Sequence, residues 1–216
     1  MYNCSYFIEN KALFGSFPSQ DEVDILEKMG VRFFVDLTLS SEPKLIPYTT
    51  KYTIISHLIY DKSIPRDCVP FCKFIYDLYM TLKKLGDGEK IYVHCKGGHG
   101  RSGIVVAMLL ALYYNMSADD ALEMTHRCHQ ERRVMRDKWR KIGSPQTLQQ
   151  RDFVCKMFEP IDMDSVEYEW MYELRHADSL EFRVLILNTY FRKIISIHSP
   201  ETATFLMNLR NEILMK

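Results

Sequence analysis

The sequence predicts an α/β fold, helices packed on a mainly parallel sheet, followed by an α-rich C-terminal extension. Three observations carry that reading. Through the first two thirds of the chain, short β-branched or aromatic runs alternate with segments of helical periodicity, the pattern of strands joined by crossover helices. Val31 to Leu37 (VRFFVDL) and Tyr52 to Tyr60 (YTIISHLIY) are almost continuously apolar, as strands covered on both faces require. Finally, KIYVHC leads through a glycine-rich stretch into SGIVVAMLLALYYNM, a segment apolar around most of its circumference and therefore a central helix.

In chain order, YFIEN and KALFGS predict two short opening strands. PSQDEVDILEKMG predicts a helix, with Ser19 as N-cap, acids in its first turn and Gly30 as its stop. The strands Val31–Leu37 and Tyr52–Tyr60 come next. From Val69 to Leu85, apolar Phe71, Phe74, Ile75, Leu78 and Leu82 recur at helical spacing until GDG ends the run. After KIYVHC and the central helix, SADDALEMTHRCHQERRVMRDKW reads as more helix with Ser117 as N-cap, and residues 147–158 as the last helix of the main domain. Pro160 marks a boundary. Beyond it, Ser165 to Tyr190 reads as helical, Lys193 to Ile197 as strand-like, and Ser199 onward as a helix. The predicted organisation is a main domain over 1–158 and an extension over 159–216.

A chain of 216 residues, 47% hydrophobic, can bury one substantial core. Its 28 basic and 28 acidic residues cancel, so no global field draws it to nucleic acid or an anionic membrane. The N-terminus lacks the basic flank and apolar core of a signal peptide, and no apolar run approaches the ~20 residues that span a bilayer. The expectation is an intracellular protein, cytoplasmic or nuclear, with no membrane partner. Six scattered cysteines then read as free thiols. The stretch His126 to His129 (HRCH) lacks a second ligand pair at zinc-site spacing.

The chemistry concentrates in VHCKGGHGRSG, Val93 to Gly103. Placed between a strand and a buried helix, its backbone N–H groups gather at a helix N-terminus, which favours an anion. Gly97, Gly98 and Gly100 allow the main chain to approach phosphate oxygens closely, and Arg101 adds a planar two-pronged clamp. Cys95 faces the same centre, where the converging amides and Arg101 favour the thiolate that attacks phosphorus. Ser102 is placed to hydrogen-bond that sulfur as it leaves.

His94-Cys95 through Arg101-Ser102-Gly103 resembles the signature of the cysteine-dependent protein tyrosine phosphatases, especially their dual-specificity branch. The likeness runs over residues 5–158 and takes in ALFGS, VDLT, HLIYD and GSPQTLQQRDF. It implies a five-stranded, mainly parallel sheet flanked by helices, and a two-step reaction through phosphocysteine with neither metal nor cofactor. The family places an acid aspartate before the helix that precedes the signature strand. HLIYDKSIPRD offers Asp61 and Asp67; Asp61 directly follows the strand and is preferred, while Asp67 suits an N-cap. Gln146 matches the glutamine that positions the hydrolytic water, with Gln150 in support. Asp36 and Glu42 match acidic positions of structural use and are assigned no chemistry.

Lys96 and the loop residues Gly97, Gly98, His99 and Gly100 would bind the phosphate group, together with Arg101 and Gln150. A histidine titrating near neutrality at position 99 would suit a highly anionic substrate, yet a single lysine beside the cysteine is common in protein phosphatases. A phosphoprotein, carrying phosphotyrosine and also phosphoserine or phosphothreonine, is therefore the favoured substrate. A phosphoinositide phosphatase or an RNA 5′-triphosphatase using the same loop stays open. The basic stretch His126 to Lys141 could contact a nucleic-acid backbone. A non-catalytic phosphate-binding module or scaffold is the alternative of another class. The aromatic extension 159–216 is expected to dock on the main domain or to form a homodimer.

Overall fold

The computed structural model describes residues 3–158, and what the sequence predicts for residues 159–216 lies outside them. Eleven elements follow one another: β1 Cys4–Ile8, β2 Ala12–Ser16, α1 Gln20–Lys28, β3 Val31–Asp36, β4 Thr53–Ser56, α2 Cys68–Lys84, β5 Lys90–Cys95, α3 Arg101–Tyr114, α4 Ala118–Gln130, α5 Asp137–Ile142 and α6 Leu148–Phe158. The strands make one sheet in the order β1-β2-β5-β3-β4. The opening hairpin is antiparallel and the other three pairings are parallel. For the described residues, the α/β class that the pattern predicts and the five-stranded, mainly parallel sheet that the resemblance implies are both present.

Local signals set the element ends where they are strong. Ser19 Oγ accepts from the Glu22 amide at 3.3 Å and the Glu22 carboxylate accepts from the Ser19 amide at 2.9 Å, a capping box that stabilises α1 by about 1 kcal/mol. In α3, every residue from Arg101 to Ala111 is buried. Leu109 and Leu110 are wholly excluded from water, each contributing about 1.5–3 kcal/mol relative to exposure. That helix packs under β5 and aims its N-terminus at the carboxyl ends of the parallel strands, where α/β sheets bind ligands.

Two elements differ from expectation. The strand predicted over Tyr52–Tyr60 is regular only at Thr53–Ser56. The His57 and Ile59 amides still donate to Asp36 and Leu37 carbonyls, but β3 ends at Asp36, whose carboxylate turns the chain by accepting from the Thr38 amide and hydroxyl at 2.8 and 2.7 Å. The helix predicted through Trp139 is broken into α4 and α5. Arg140 donates to the Gln130 and Arg132 carbonyls at 2.9 and 2.7 Å, closing the end of α4 with a side chain from the next helix. No helix among the described residues is long and apolar enough to cross a membrane.

Candidate active site

β5 ends in Cys95, α3 begins at Arg101, and the glycine-rich loop occupies the gap. Gly100 stands at the N-cap with no side-chain hydrogen bond to the helix, leaving the first amides of α3 free to receive an anion. Cys95 is 2% exposed. Its Sγ accepts from the Gly98 amide at 3.3 Å and lies 3.5 Å from Ser102 Oγ. Gly98 has φ +73°, and a Cβ there would fall 2.4 Å from the carbonyl carbon of Gly15. Glycine is thus required both by the backbone turn and by the seat of the loop on the end of β2. Gly97 is exposed at the tip and Gly100 is buried; a Cβ on Gly100 would meet the Gln150 amide oxygen at 2.8 Å.

Arg101, 1% exposed, ties together two segments, the one at Glu42 and the stretch Ile59–Asp61. Nη1 donates to Glu42 and to the Ile59 carbonyl at 3.0 Å, and Nη2 donates to Glu42 Oε2 at 3.0 Å and Asp61 Oδ1 at 3.1 Å. Burial works against ionisation of Glu42, yet the Arg101 bonds and the Leu39 amide hold its carboxyl below the usual range. Asp61 has a 56% exposed side chain, so one carboxylate is fixed and the other reaches toward solvent. Asp67 sits exposed immediately before α2. Glu42, assigned no chemistry from sequence, is the principal partner of Arg101.

The two glutamines differ in burial. Gln150 is fully buried against the loop, donating to the Ser63 carbonyl at 3.0 Å and accepting from the Thr147 amide at 3.2 Å. Gln146 is half-buried and makes no side-chain hydrogen bond among the described residues. Lys96 donates to the Pro43 carbonyl at 2.9 Å, which ties the loop to the β3–β4 connection.

With this geometry in place, residues 3–154 match the family described as "PTP-SAK: Swiss Army Knife protein, DSP-PTPase phosphatase domain". The chain belongs to this DSP-PTPase family. Two viral relatives carry the same signal. "Putative tyrosine phosphatase 197R" of Invertebrate iridescent virus 6 is 40% identical over 176 residues, 76% of this chain and 60% of that one. "Putative tyrosine phosphatase 067L" of Invertebrate iridescent virus 3 is 36% identical over 160 residues, 73% and 66% of the two chains. The chain thus spans 60% and 66% of the length of these relatives. The DSP-PTPase domain also resembles the crystal structure of Tk-PTP in the active form, with TM-score 0.53 and 20% identity over 71% of this chain and 94% of that one. At that identity the likeness speaks for the fold.

Three histidines of the DSP-PTPase site are built into packing. His94 is fully buried, with Nε2 2.8 Å from the Tyr48 hydroxyl, and burial lowers its pKa to about 3. His99 turns its ring out of the loop, with Nδ1 2.8 Å from His129 Nε2 and its face stacked on Trp139 at 4.5 Å. Burial and then Arg132 lower the pKa of His99 to about 4 and that of His129 to about 2. The partial charge expected at His99 is therefore absent at neutral pH. The basic stretch 126–141 braces the loop through His129 and Trp139, while Arg133, Arg136, Lys138 and Lys141 remain exposed.

These histidines make stability depend on acid. In the unfolded chain each takes up a proton near pH 6.5, whereas the folded protein resists protonation until about pH 4 or below. Between those limits the unfolded state binds more protons, so stability falls as pH drops. The urea midpoint is expected to be clearly lower at pH 5 than at pH 7, and His129→Asn to narrow that difference. A midpoint independent of pH over this range would contradict the neutral, buried state of the three rings.

Proposed function

We propose that this chain is a protein phosphatase acting on phosphotyrosine, and on phosphoserine and phosphothreonine, through a phosphocysteine intermediate, with residues 1–158 as the catalytic domain. The observation that carries the reading is the 3.1 Å contact of Asp61 with Arg101, beside a loop in which Cys95 Sγ already receives an amide hydrogen bond. Nucleophile, clamp and proton donor come from three separate elements and meet at one centre.

In the first step, the Cys95 thiolate forms a bond to phosphorus while the bond from phosphorus to the substrate oxygen breaks. The loop amides and Arg101 take up charge on the three equatorial oxygens. Substrate phosphate takes over the Arg101 donors, and Asp61, released from the guanidinium and entering as the carboxylic acid, gives its proton to the departing oxygen, since bare phenoxide or alkoxide leaves poorly near neutral pH. In the second step, water attacks phosphorus, Asp61 recovers a proton from it, and the thiolate leaves with the Ser102 hydroxyl to stabilise it. Gln146 positions the water and Gln150 supports the loop from beneath. Once neutral His99 is turned away and Lys96 is engaged with Pro43, the loop presents little charge beyond Arg101, which favours a phosphoprotein over a polyanionic substrate.

Comparing kcat/KM for phosphotyrosine and phosphothreonine peptides, a phosphoinositide and 5′-triphosphorylated RNA tests the reading. Preference for either of the last two would overturn it. Wild-type protein that binds phosphopeptide yet hydrolyses no aryl phosphate would make the chain a binding module. Asp61→Asn is expected to lower kcat roughly a hundred- to a thousandfold with KM little changed, and to abolish the basic limb of the pH profile. Full activity in that variant would transfer the acid role to Asp67.

A further inference from the structure

Beside the phosphate loop the chain forms a pocket of about 160 Å³ whose lining takes no part in the proposed reaction. Phe17 follows β2, Asp36 ends β3, and Thr38, Leu39, Ser40 and Tyr48 come from the β3–β4 connection. Two hydrogen bonds fix its place. The Phe17 amide donates to the carbonyl of Lys96, the residue after Cys95, at 3.2 Å. The Leu39 amide donates at 3.1 Å to Glu42 Oε1, on the carboxylate that accepts from Arg101. The pocket therefore shares its walls with the cysteine and arginine ends of the loop.

Its size and lining narrow what it can take. About 160 Å³ is well below the roughly 300–1,000 Å³ of sites for drug-sized molecules, and suits a single side chain. The walls are mainly apolar, with the ring centroids of Phe17 and Tyr48 5.3 Å apart, yet a carboxylate stands among them. Asp36 Oδ1 accepts from the Thr38 amide and hydroxyl at 2.8 and 2.7 Å. Its Oδ2 has no hydrogen-bond partner among the described residues, and the side chain is 23% exposed. No lysine or arginine among those residues pairs with it; Lys96 is engaged with the Pro43 carbonyl instead. Apolar walls around a carboxylate with a spare oxygen match an aliphatic stem tipped by a cation.

We propose that this pocket is a specificity subsite for a lysine or arginine side chain of the phosphoprotein substrate, with Asp36 accepting from the cation and Phe17 and Tyr48 packing on its stem. The subsite rests on the phosphoprotein reading above. An extended peptide advances about 3.3 Å per residue and turns alternate side chains to the same face, and one residue of the loop separates the pocket wall from Cys95. The basic residue thus lies within two positions of the phosphorylated one. Arg101 and the loop amides read the phosphate, and Asp36 reads its neighbour.

Phosphotyrosine peptides whose ester oxygen is replaced by a non-hydrolysable difluoromethylene group, with lysine, norleucine or glutamate at each of the two positions on either side, test this on the full chain by fluorescence anisotropy. At one of these positions lysine is expected to bind about tenfold more tightly than norleucine, which has the stem without the charge, and glutamate more weakly than either. Asp36→Asn, which keeps an oxygen for the Thr38 donors, removes the lysine preference and leaves the norleucine affinity within about twofold of wild type. Ser40→Arg, which brings a competing cation to the exposed rim, removes the preference as well and serves if the asparagine variant does not fold. No lysine preference at any position, a preference unchanged in a folded variant, or no binding of any peptide overturns the proposal. Hydrolysis of the parent phosphopeptides without a lysine preference leaves the proposed function standing and removes the subsite; lysine-dependent binding without hydrolysis does the reverse.

Discussion

Cys95→Ser is expected to lower kcat for an aryl phosphate by roughly ten-thousandfold or more, while binding of inorganic phosphate stays within a few-fold of wild type. The asymmetry follows from the division of labour in the loop. On the proposed reading, phosphate is bound by the amides at the start of α3 and the Arg101 guanidinium, and Sγ contributes none of those donors. Turnover needs an anionic nucleophile, and a serine hydroxyl at neutral pH is not one. Steady-state kinetics and calorimetric titration with phosphate measure the two quantities separately. Turnover that persists in the serine variant would remove Cys95 from the chemistry, while parallel loss of both would make it a structural residue.

Arg101→Lys should cost about a thousandfold in kcat/KM even though the positive charge is kept. The guanidinium spans the Ile59 carbonyl, both oxygens of Glu42 and one oxygen of Asp61. An ammonium has no planar fork with which to span the same acceptors or to bind two phosphate oxygens at once. The loss should appear in kcat as well as KM, because Asp61, the proposed acid, loses its anchor together with the phosphate. Activity within tenfold of wild type would mean that charge alone serves at this position, and that the contact between Arg101 and Asp61 is incidental.

Much of this architecture could be read from the residue pattern, and the parts that could not share a cause. The capping box at Ser19, the apolar run of β3 and the loop from Cys95 to Arg101 are written in neighbouring residues, so local chemistry declares them. The break between α4 and α5 depends on Arg140 reaching back to two carbonyls, and the rotation of His99 depends on His129 and Trp139. Both are contacts between residues at least eight positions apart with no periodicity to announce them. The resemblance alone marks Glu42 for a structural use, and its partner, Arg101, lies 59 positions away where no local pattern announces it. Arg132 and Arg133 are adjacent and identical in type, yet one is buried and the other exposed.

The strand order has a consequence for how the chain reaches this structure. Among the described residues β5 is the last strand in sequence, yet it lies between β2 and β3. Those two strands therefore cannot pair with each other, and a slot one strand wide must stay open between them until residues 90–95 enter it. Such non-local parallel pairing makes for slow folding, and it leaves two apolar strand edges unprotected in any chain emerging from the ribosome before β5 is made. Entry of that strand also delivers Cys95 to its place, so recovery of a reactive thiol marks the moment when the sheet closes.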